Sequence, residues 1–240
     1  NTTQFFIKSS KSISNVLWDF DDPTSGVNNI STDLKPTHIF TSPGTYEVSV
    51  IISDGINSET EKKTVTIFEK PTVNQPKDVY ACDENNGLST FDLHDIEYDI
   101  IGNQTDLNVS YFDSFGNNIT NLLTSDFQNT EPWSQTIYVK VENALNNLCF
   151  SETNFDLLVN ELPKVNIDES YSLCILEPSF PLTIDGNFDS WEWKLEDGSI
   201  VSNTNTVNLI SAENYSLTVS KFENGISCEN TFSFELIHSV

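Results

Sequence analysis

The chain has 240 residues, of which 37% are hydrophobic and 11% aromatic, so it can build cores and is not a disordered polymer. It carries 36 Asp and Glu against 11 Lys and Arg, for a formal net charge of −25, and all eleven cations are Lys. No segment offers a basic patch, which argues against nucleic acid or an anionic membrane as partner, and no run approaches the roughly 18 apolar residues of a membrane span.

In chain order, the first strand signal is Trp18 with Phe20, two residues apart and so on one face. Tyr46, Val48, Val50 and Ile52 alternate with Glu47, Ser49 and Ile51, and a further strand is expected over residues 64–68. Residues 69–76, with Pro71 and Pro76, end this region, because proline stops a ladder and stiffens a junction. Residues 90–101 carry Leu93, Ile96 and Ile100 at a spacing that suits one or two helical turns. Residues 121–127 are a second short helix candidate, capped by Thr120 or Asn121. Period-two rows then return at Ile137, Val139 and Val141 and at Phe155, Leu157 and Val159, and stop at Pro163. The last third repeats the pattern with Trp191, Trp193 and Leu195, with Tyr215, Leu217 and Val219, and with Phe232, Phe234 and Leu236. Pro43-Gly44, Asp54-Gly55, Asn86-Gly87, Asp185-Gly186, Asp197-Gly198 and Asn224-Gly225 supply the turns. Short strands with a turn every ten or so residues indicate sandwiches. The expected fold class is all-β, three tandem sandwich domains in an elongated array, with boundaries at 1–70, 71–163 and 164–240.

Four cysteines occur, Cys82, Cys149, Cys174 and Cys228, and none forms a CxxC pair of the kind that holds zinc. An even, widely spaced set fits disulfides in an oxidising compartment. Three pairings are possible; keeping each bridge inside one domain favours Cys82–Cys149 and Cys174–Cys228. Met is absent even at position 1, as expected of a chain that starts within a longer protein or after processing.

Residues 1–70 resemble the PKD domain, a small extracellular β-sandwich. The resemblance rests on Trp18-Asp19-Phe20-Asp21-Asp22, on Pro36-Thr37-His38-Ile39-Phe40, and on Pro43-Gly44 leading to Tyr46-Glu47-Val48-Ser49-Val50. It implies that Trp18 and Phe20 point inward, that Tyr46 forms a tyrosine corner, and that His38 packs. Asp21 departs from the pattern, standing where glycine is usual. The first strand also looks short or missing, which raises a third reading: a surface-filament subunit that borrows a strand from a neighbour.

Residues 71–163 resemble a repeat of large secreted proteins of gliding Bacteroidetes. The matching pieces are Cys82-Asp83-Glu84-Asn85-Asn86-Gly87, Thr90-Phe91-Asp92-Leu93, Val109-Ser110-Tyr111-Phe112-Asp113 and Cys149-Phe150-Ser151. Residues 164–240 resemble the companion Ig-like repeat through Leu173-Cys174, Trp191-Glu192-Trp193, Glu213-Asn214-Tyr215 and Cys228. Together these imply an extracellular, cell-surface or outer-membrane-associated protein exported by type IX secretion, often an adhesin.

Sites are few. There is no Gly-x-Ser-x-Gly and no His-Glu-x-x-His, and the three histidines (His38, His94, His238) suit no Ser/His/Asp set. Asp83 and Asn85, with Asp92 downstream, are a candidate calcium set, because clustered carboxylate and amide oxygens suit a hard cation. The competing reading is an Asx turn. Asp19, Asp21 and Asp22 are a second such cluster. Trp133, after Glu131-Pro132, is the candidate platform for stacking a sugar; a packed loop anchor is the alternative. The sequence thus predicts a non-catalytic stalk or adhesin segment that requires no cofactor beyond a potential calcium ion. Its expected partners are neighbouring domains of the same chain, surface glycans and other surface proteins, with no nucleic acid and no membrane insertion. The runner-up is an accessory module of a secreted polysaccharide-degrading enzyme.

Overall fold

The structure, a computed structural model, describes residues 2–10, 12–123, 126–174 and 176–239. Spatial clustering divides the chain into two compact units. One holds residues 1–73, 104–108 and 140–151; the other holds 74–103, 109–139 and 152–240. Among the described residues no helix is long and apolar enough to cross a membrane.

The first sandwich uses β1 (Thr3–Gln4), β2 (Asn15–Asp19), β3 (Ile30–Ser31), β4 (Thr37–His38), β5 (Gly44–Ser53) and β6 (Ser58–Ile67). A four-stranded sheet runs β3-β2-β5-β6, and β1 pairs with β4 opposite it. Alternation does what the sequence predicts: Val16 and Trp18 of β2 and Val48 and Val50 of β5 are buried, while Leu17, Asp19 and Glu47 between them are exposed. Phe5 lies 5.6 Å from Trp18 and 5.2 Å from Phe20, ring centre to ring centre, which ties the short β1 segment into the core. The Tyr46 hydroxyl donates to the Ser42 carbonyl at 2.6 Å, the expected tyrosine corner. The first strand is short but not missing. Thr3 pairs with His38 and Gln4 with Thr37, and the Phe5 N–H donates to the Pro36 carbonyl. The filament reading loses its premise, because this segment is already paired within the chain.

The middle stretch comprises β7 (Val79–Cys82), β8 (Thr90–Asp92), α1 (Ile96–Ile101), β9 (Leu107–Phe112), β10 (Asp126–Gln128), β11 (Ser134–Asn143) and β12 (Asn146–Asn160). Its sheet order is β7-β12-β11-β9, with β8 paired to β10. The helix falls inside the predicted window, with Ile96 and Ile100 buried. The second helix candidate, 121–127, is overturned over its described part. A turn at Ile119 leads to β10, where Phe127 sits opposite Phe91 and both are buried. Residues 124 and 125 lie outside the described residues. Burying both aromatic side chains in a paired strand outweighs the weak local preference for a helical turn.

The last stretch comprises β13 (Ser170–Cys174), β14 (Phe180–Thr183), β15 (Ser190–Leu195), β16 (Ile200–Ser202), β17 (Thr206–Leu209), β18 (Asn214–Glu223) and β19 (Ile226–Ser239). Its five-stranded sheet runs β13-β19-β18-β15-β16, with β14 paired to β17. Trp193, Leu217 and Val219 have no accessible surface and anchor its core. Trp193 Nε1–H donates to the Thr204 carbonyl at 2.8 Å, just as Trp18 Nε1–H donates to the Asp33 carbonyl at 3.0 Å. Tyr215 forms a second tyrosine corner, donating to the Ser211 carbonyl at 2.9 Å. Trp191, two residues from Trp193 on the same strand, is only half-buried and meets Phe188 edge-on at 6.1 Å.

Candidate functional site: a disulfide-bridged domain junction

The chemistry-bearing feature of this chain is a junction. Cys82, the last residue of β7, is opposite Asn160, the last residue of β12, in a parallel pairing. Cys228 stands near the start of β19, opposite Lys221, beside the Asn224-Gly225 turn. Both turn residues have positive φ, 54° and 87°, a conformation that Asn and Gly adopt most readily and that matches the twist of a hairpin. This tip lies against the end of the middle sheet. Asn160 Nδ2 donates to the Glu223 carbonyl at 3.1 Å, and Asn224 Nδ2 donates to Asn160 Oδ1 at 2.9 Å. Asn230 Nδ2 donates to the carbonyl of the linker residue Pro163 at 2.9 Å. Across this contact Cys82 and Cys228, 146 positions apart in sequence, form a disulfide with Cα atoms 5.5 Å apart.

This corrects the expected Cys82–Cys149 and Cys174–Cys228 bridges. Cys149 and Cys174 are free; Cys149 is half-buried and Cys174 exposed. The reason is strand geometry. Cys149 precedes Asn160 by eleven residues on β12, and Cys228 precedes Ser239, the partner of Cys174, by eleven residues on β19. At about 3.3 Å per residue a strand separates such positions by far more than a disulfide spans. In each domain one cysteine thus lies near the start of the long last strand, and the other ends a neighbouring strand beside that strand's far end. Alkylation of the denatured, unreduced chain is expected to modify two cysteines per molecule, Cys149 and Cys174, with Cys174 reacting first in the native state. Mass mapping reads both; four modified cysteines, or modification of Cys82 or Cys228, would refute the bridge.

The first unit contains a similar contact. Asn143 Nδ2 donates to the Glu69 carbonyl at 3.2 Å, and Ser151 Oγ donates to the Pro71 carbonyl at 2.5 Å. Cys149 Sγ lies 4.0 Å from the Phe68 carbonyl oxygen. A cavity of 570 Å³ there is lined by Phe40, Phe68, Leu148, Cys149 and Phe150 among others. Lys70 and Cys149 are its ionisable groups, which is no acid–base pair for hydrolysis.

The other predicted positions have local structural roles. Asp83 Oδ1 accepts the Gly87 N–H at 2.8 Å, Asn85 Oδ1 accepts from Asn86 Nδ2 at 3.2 Å, and Asp92 Oδ1 accepts the His94 N–H at 3.0 Å. The Asp92 contact is of the Asx kind, the Asp83 contact closes the turn at Gly87, and the Asn85 contact joins two neighbouring side chains. Among the described residues no group of three or more His, Cys, Asp or Glu is arranged to hold a metal ion. Trp133 is 42% exposed, but its ring lies on Gly87 and its N–H donates to the Gly87 carbonyl at 2.8 Å. A Cβ on Gly87 would come within 2.7 Å of the Trp133 backbone nitrogen and 2.8 Å of its ring, and Gly87 has φ +88°. Gly87→Ala is expected to destabilise this domain by about 2 kcal/mol, measurable as a lower urea midpoint.

In the first sandwich the acidic cluster does not converge. Asp19 Oδ1 accepts from the Asp21 N–H and from Asn29 Nδ2, and Asp21 Oδ2 accepts the Glu47 N–H. Asp22 instead turns inward and is 1% exposed. Its carboxylate accepts from Thr41 Oγ1 at 2.7 Å, Thr24 Oγ1 at 2.8 Å, the Thr41 N–H at 3.0 Å and His38 Nε2–H at 3.0 Å. Burial alone would raise its pKa. The donors, led by Thr41 and Thr24 and then His38, outweigh burial and hold it at about 2. His38 is stacked on Phe20 at 4.3 Å and meets Phe40 edge-on at 4.7 Å, which makes it part of the packing, as predicted.

Two family models match parts of the chain. The family model of the PKD domain matches residues 2–68. The model described as "Flavobacterium inter-domain disulphide bond domain" matches residues 78–163. No curated protein matches the chain. Among solved structures, the I-band fragment I67–I69 from titin is similar, at 11% identity and TM-score 0.44, over 100% of this chain and 93% of that one. Sidekick-1 immunoglobulin domains 1–5 are similar at 10% identity and TM-score 0.32, over 99% of this chain and 57% of theirs. The Bacteroides ovatus mixed-linkage glucan utilization locus SGBP-B, solved with a mixed-linkage heptasaccharide, is similar at 12% identity and TM-score 0.22, over 99% of this chain and 63% of its own. With its sheets, its tyrosine corners and the two family matches in hand, the chain is an all-β tandem of PKD and Ig-like domains.

Proposed function

We propose that this chain is a non-catalytic spacer segment of a large secreted cell-surface adhesin, divided into domains at 1–70, 71–163 and 164–240. Its task is to carry load and to hold successive domains in register so that a binding tip is presented. The observation that supports this reading most is the Cys82–Cys228 bridge, with Asn160, Asn224 and Asn230 pinning the same junction. Side-chain chemistry is concentrated on joining domains, and the candidate ligand residues serve turns. The disulfide and the match to the PKD domain also favour an extracellular setting. Type IX export and attachment to the outer surface are part of the same proposal.

The test is a glycan array probed with the soluble, oxidised chain. A spacer retains no glycan above background. Retention of one glycan class, abolished by Trp133→Ala, would overturn the spacer in favour of the accessory module of a polysaccharide-degrading enzyme.

A further inference from the structure

We propose that Cys174 is a second bridging position, one that takes the hairpin-tip cysteine of a further Ig-like domain placed directly after this chain's last strand. The proposal rests on the junction geometry alone, so its failure would leave the spacer reading untouched.

Cys82 and Cys174 occupy the same place in their sheets. Each ends the first strand of its sheet, and that strand runs parallel to the last strand. Cys82 is opposite Asn160, the final residue of β12, and Cys174 is opposite Ser239, the final residue of β19. Cys149 and Cys228 likewise occupy one place, eleven residues before those strand ends and next to the tip of the last hairpin. The hairpin-tip contacts repeat as well. Two residues after each tip cysteine, a side chain donates to the carbonyl of a linker proline that follows the preceding domain's last strand: Ser151 to Pro71 and Asn230 to Pro163. The same docking thus occurs twice in the chain, once with a sulfur waiting on the preceding domain and once without. Where Cys82 waits, the bridge is made. Residues 1–70 contain no cysteine, so Cys149, near the Phe68 carbonyl, remains a thiol. Cys174 is the converse case: a waiting position, exposed and unbridged, at the end of the sheet that a following tip would meet.

The chemistry needs an oxidant, and a small disulfide such as oxidised glutathione supplies it. The Cys174 thiolate attacks that disulfide, forming a mixed disulfide and releasing one glutathione thiolate. The tip thiolate then displaces the second glutathione and forms the inter-domain S–S bond. Two protein thiols lose two protons and two electrons, and one oxidised glutathione becomes two reduced molecules.

The experiment uses the whole chain through Ser239 followed by a second copy of residues 161–240, folded in a glutathione redox buffer, trapped with iodoacetamide and mapped by mass spectrometry. The native Cys82–Cys228 link serves as internal standard. The expected result is a link from Cys174 to the Cys228 of the appended copy, with alkylation of Cys174 reduced at least tenfold. In a matched version with Cys228→Ser in the appended copy, Cys174 should be fully alkylated. Three results would overturn the proposal once the Cys82–Cys228 link has formed: both cysteines stay alkylated, Cys174 links to Cys149, or Cys174 links to a second chain and gives a covalent dimer on a non-reducing gel.

Discussion

Pulled from its two ends, the oxidised chain is expected to reach a full contour about 500 Å shorter than the reduced chain. The bridge joins residues 146 positions apart, and an extended chain spans at most about 3.6 Å per residue. Tension entering from the N-terminus leaves the backbone at Cys82, crosses the S–S bond and re-enters at Cys228. Residues between them lie outside the load path, so most of the middle and last domains cannot be drawn out, even if they unfold. Only the first sandwich, the linker after it and the final strand can lengthen. Single-molecule pulling with and without a reductant measures this, and Cys82→Ser should behave like the reduced chain. Equal contours under oxidising and reducing conditions would show that the bridge does not form. The same link lowers the entropy of the unfolded chain; for a 146-residue loop the chain-entropy account gives about 5 kcal/mol. Thermal unfolding of the last domain should therefore shift downward on reduction, while that of the first sandwich, outside the loop, should not move.

The second large effect concerns Asp22. Asp22→Ala is expected to destabilise the first sandwich by about 3–5 kcal/mol, because it strands donors from His38, Thr24 and Thr41 around a buried site. Chemical denaturation followed by Trp18 emission, in a version with the other three tryptophans replaced by Phe, reads this domain by itself. The pH dependence has a definite sign. The Asp22 pKa is lowered from 3.8 to about 2, so its contribution is complete above pH 4 and is lost as pH falls toward 2. A shift of that size corresponds to roughly 2 kcal/mol at most, which solvent screening reduces toward about 1. In Asp22→Asn this acid-limb loss should disappear, because the amide does not titrate. An unchanged loss in Asp22→Asn would assign the effect to other carboxylates.

Much of the fold can be read from local pattern. Val16 and Trp18, Val48 and Val50, and Ile137, Val139 and Val141 alternate in sequence and are buried together, because a strand turns every second side chain to one face. The Pro43-Gly44 turn before Tyr46 announced a tyrosine corner, which needs only residues four apart. The short helix at Ile96–Ile101 was also legible, being decided by neighbours in sequence, whereas the packing of His38 on Phe20, eighteen positions away, was legible only through the resemblance to the PKD domain. Residues 121–127 failed because their outcome depended on Phe91, some thirty positions away. Asp22 looked like one of three equivalent acids; only folding separated it from Asp19 and Asp21 by turning it toward Thr24, His38 and Thr41.

The cysteines show the division most clearly. From the sequence alone came an all-β chain of disulfide type, with strands, turns and proline-marked boundaries, because composition and short-range periodicity are local properties. The tertiary structure decided which thiols meet. Pairing depends on where a strand ends and on which hairpin tip is set against that end, and within each domain one cysteine sits near the start of the long last strand while the other sits beside that strand's far end. A disulfide needs Cα atoms about 5–6 Å apart, and that proximity is created by the packing of domains rather than by any spacing along the chain.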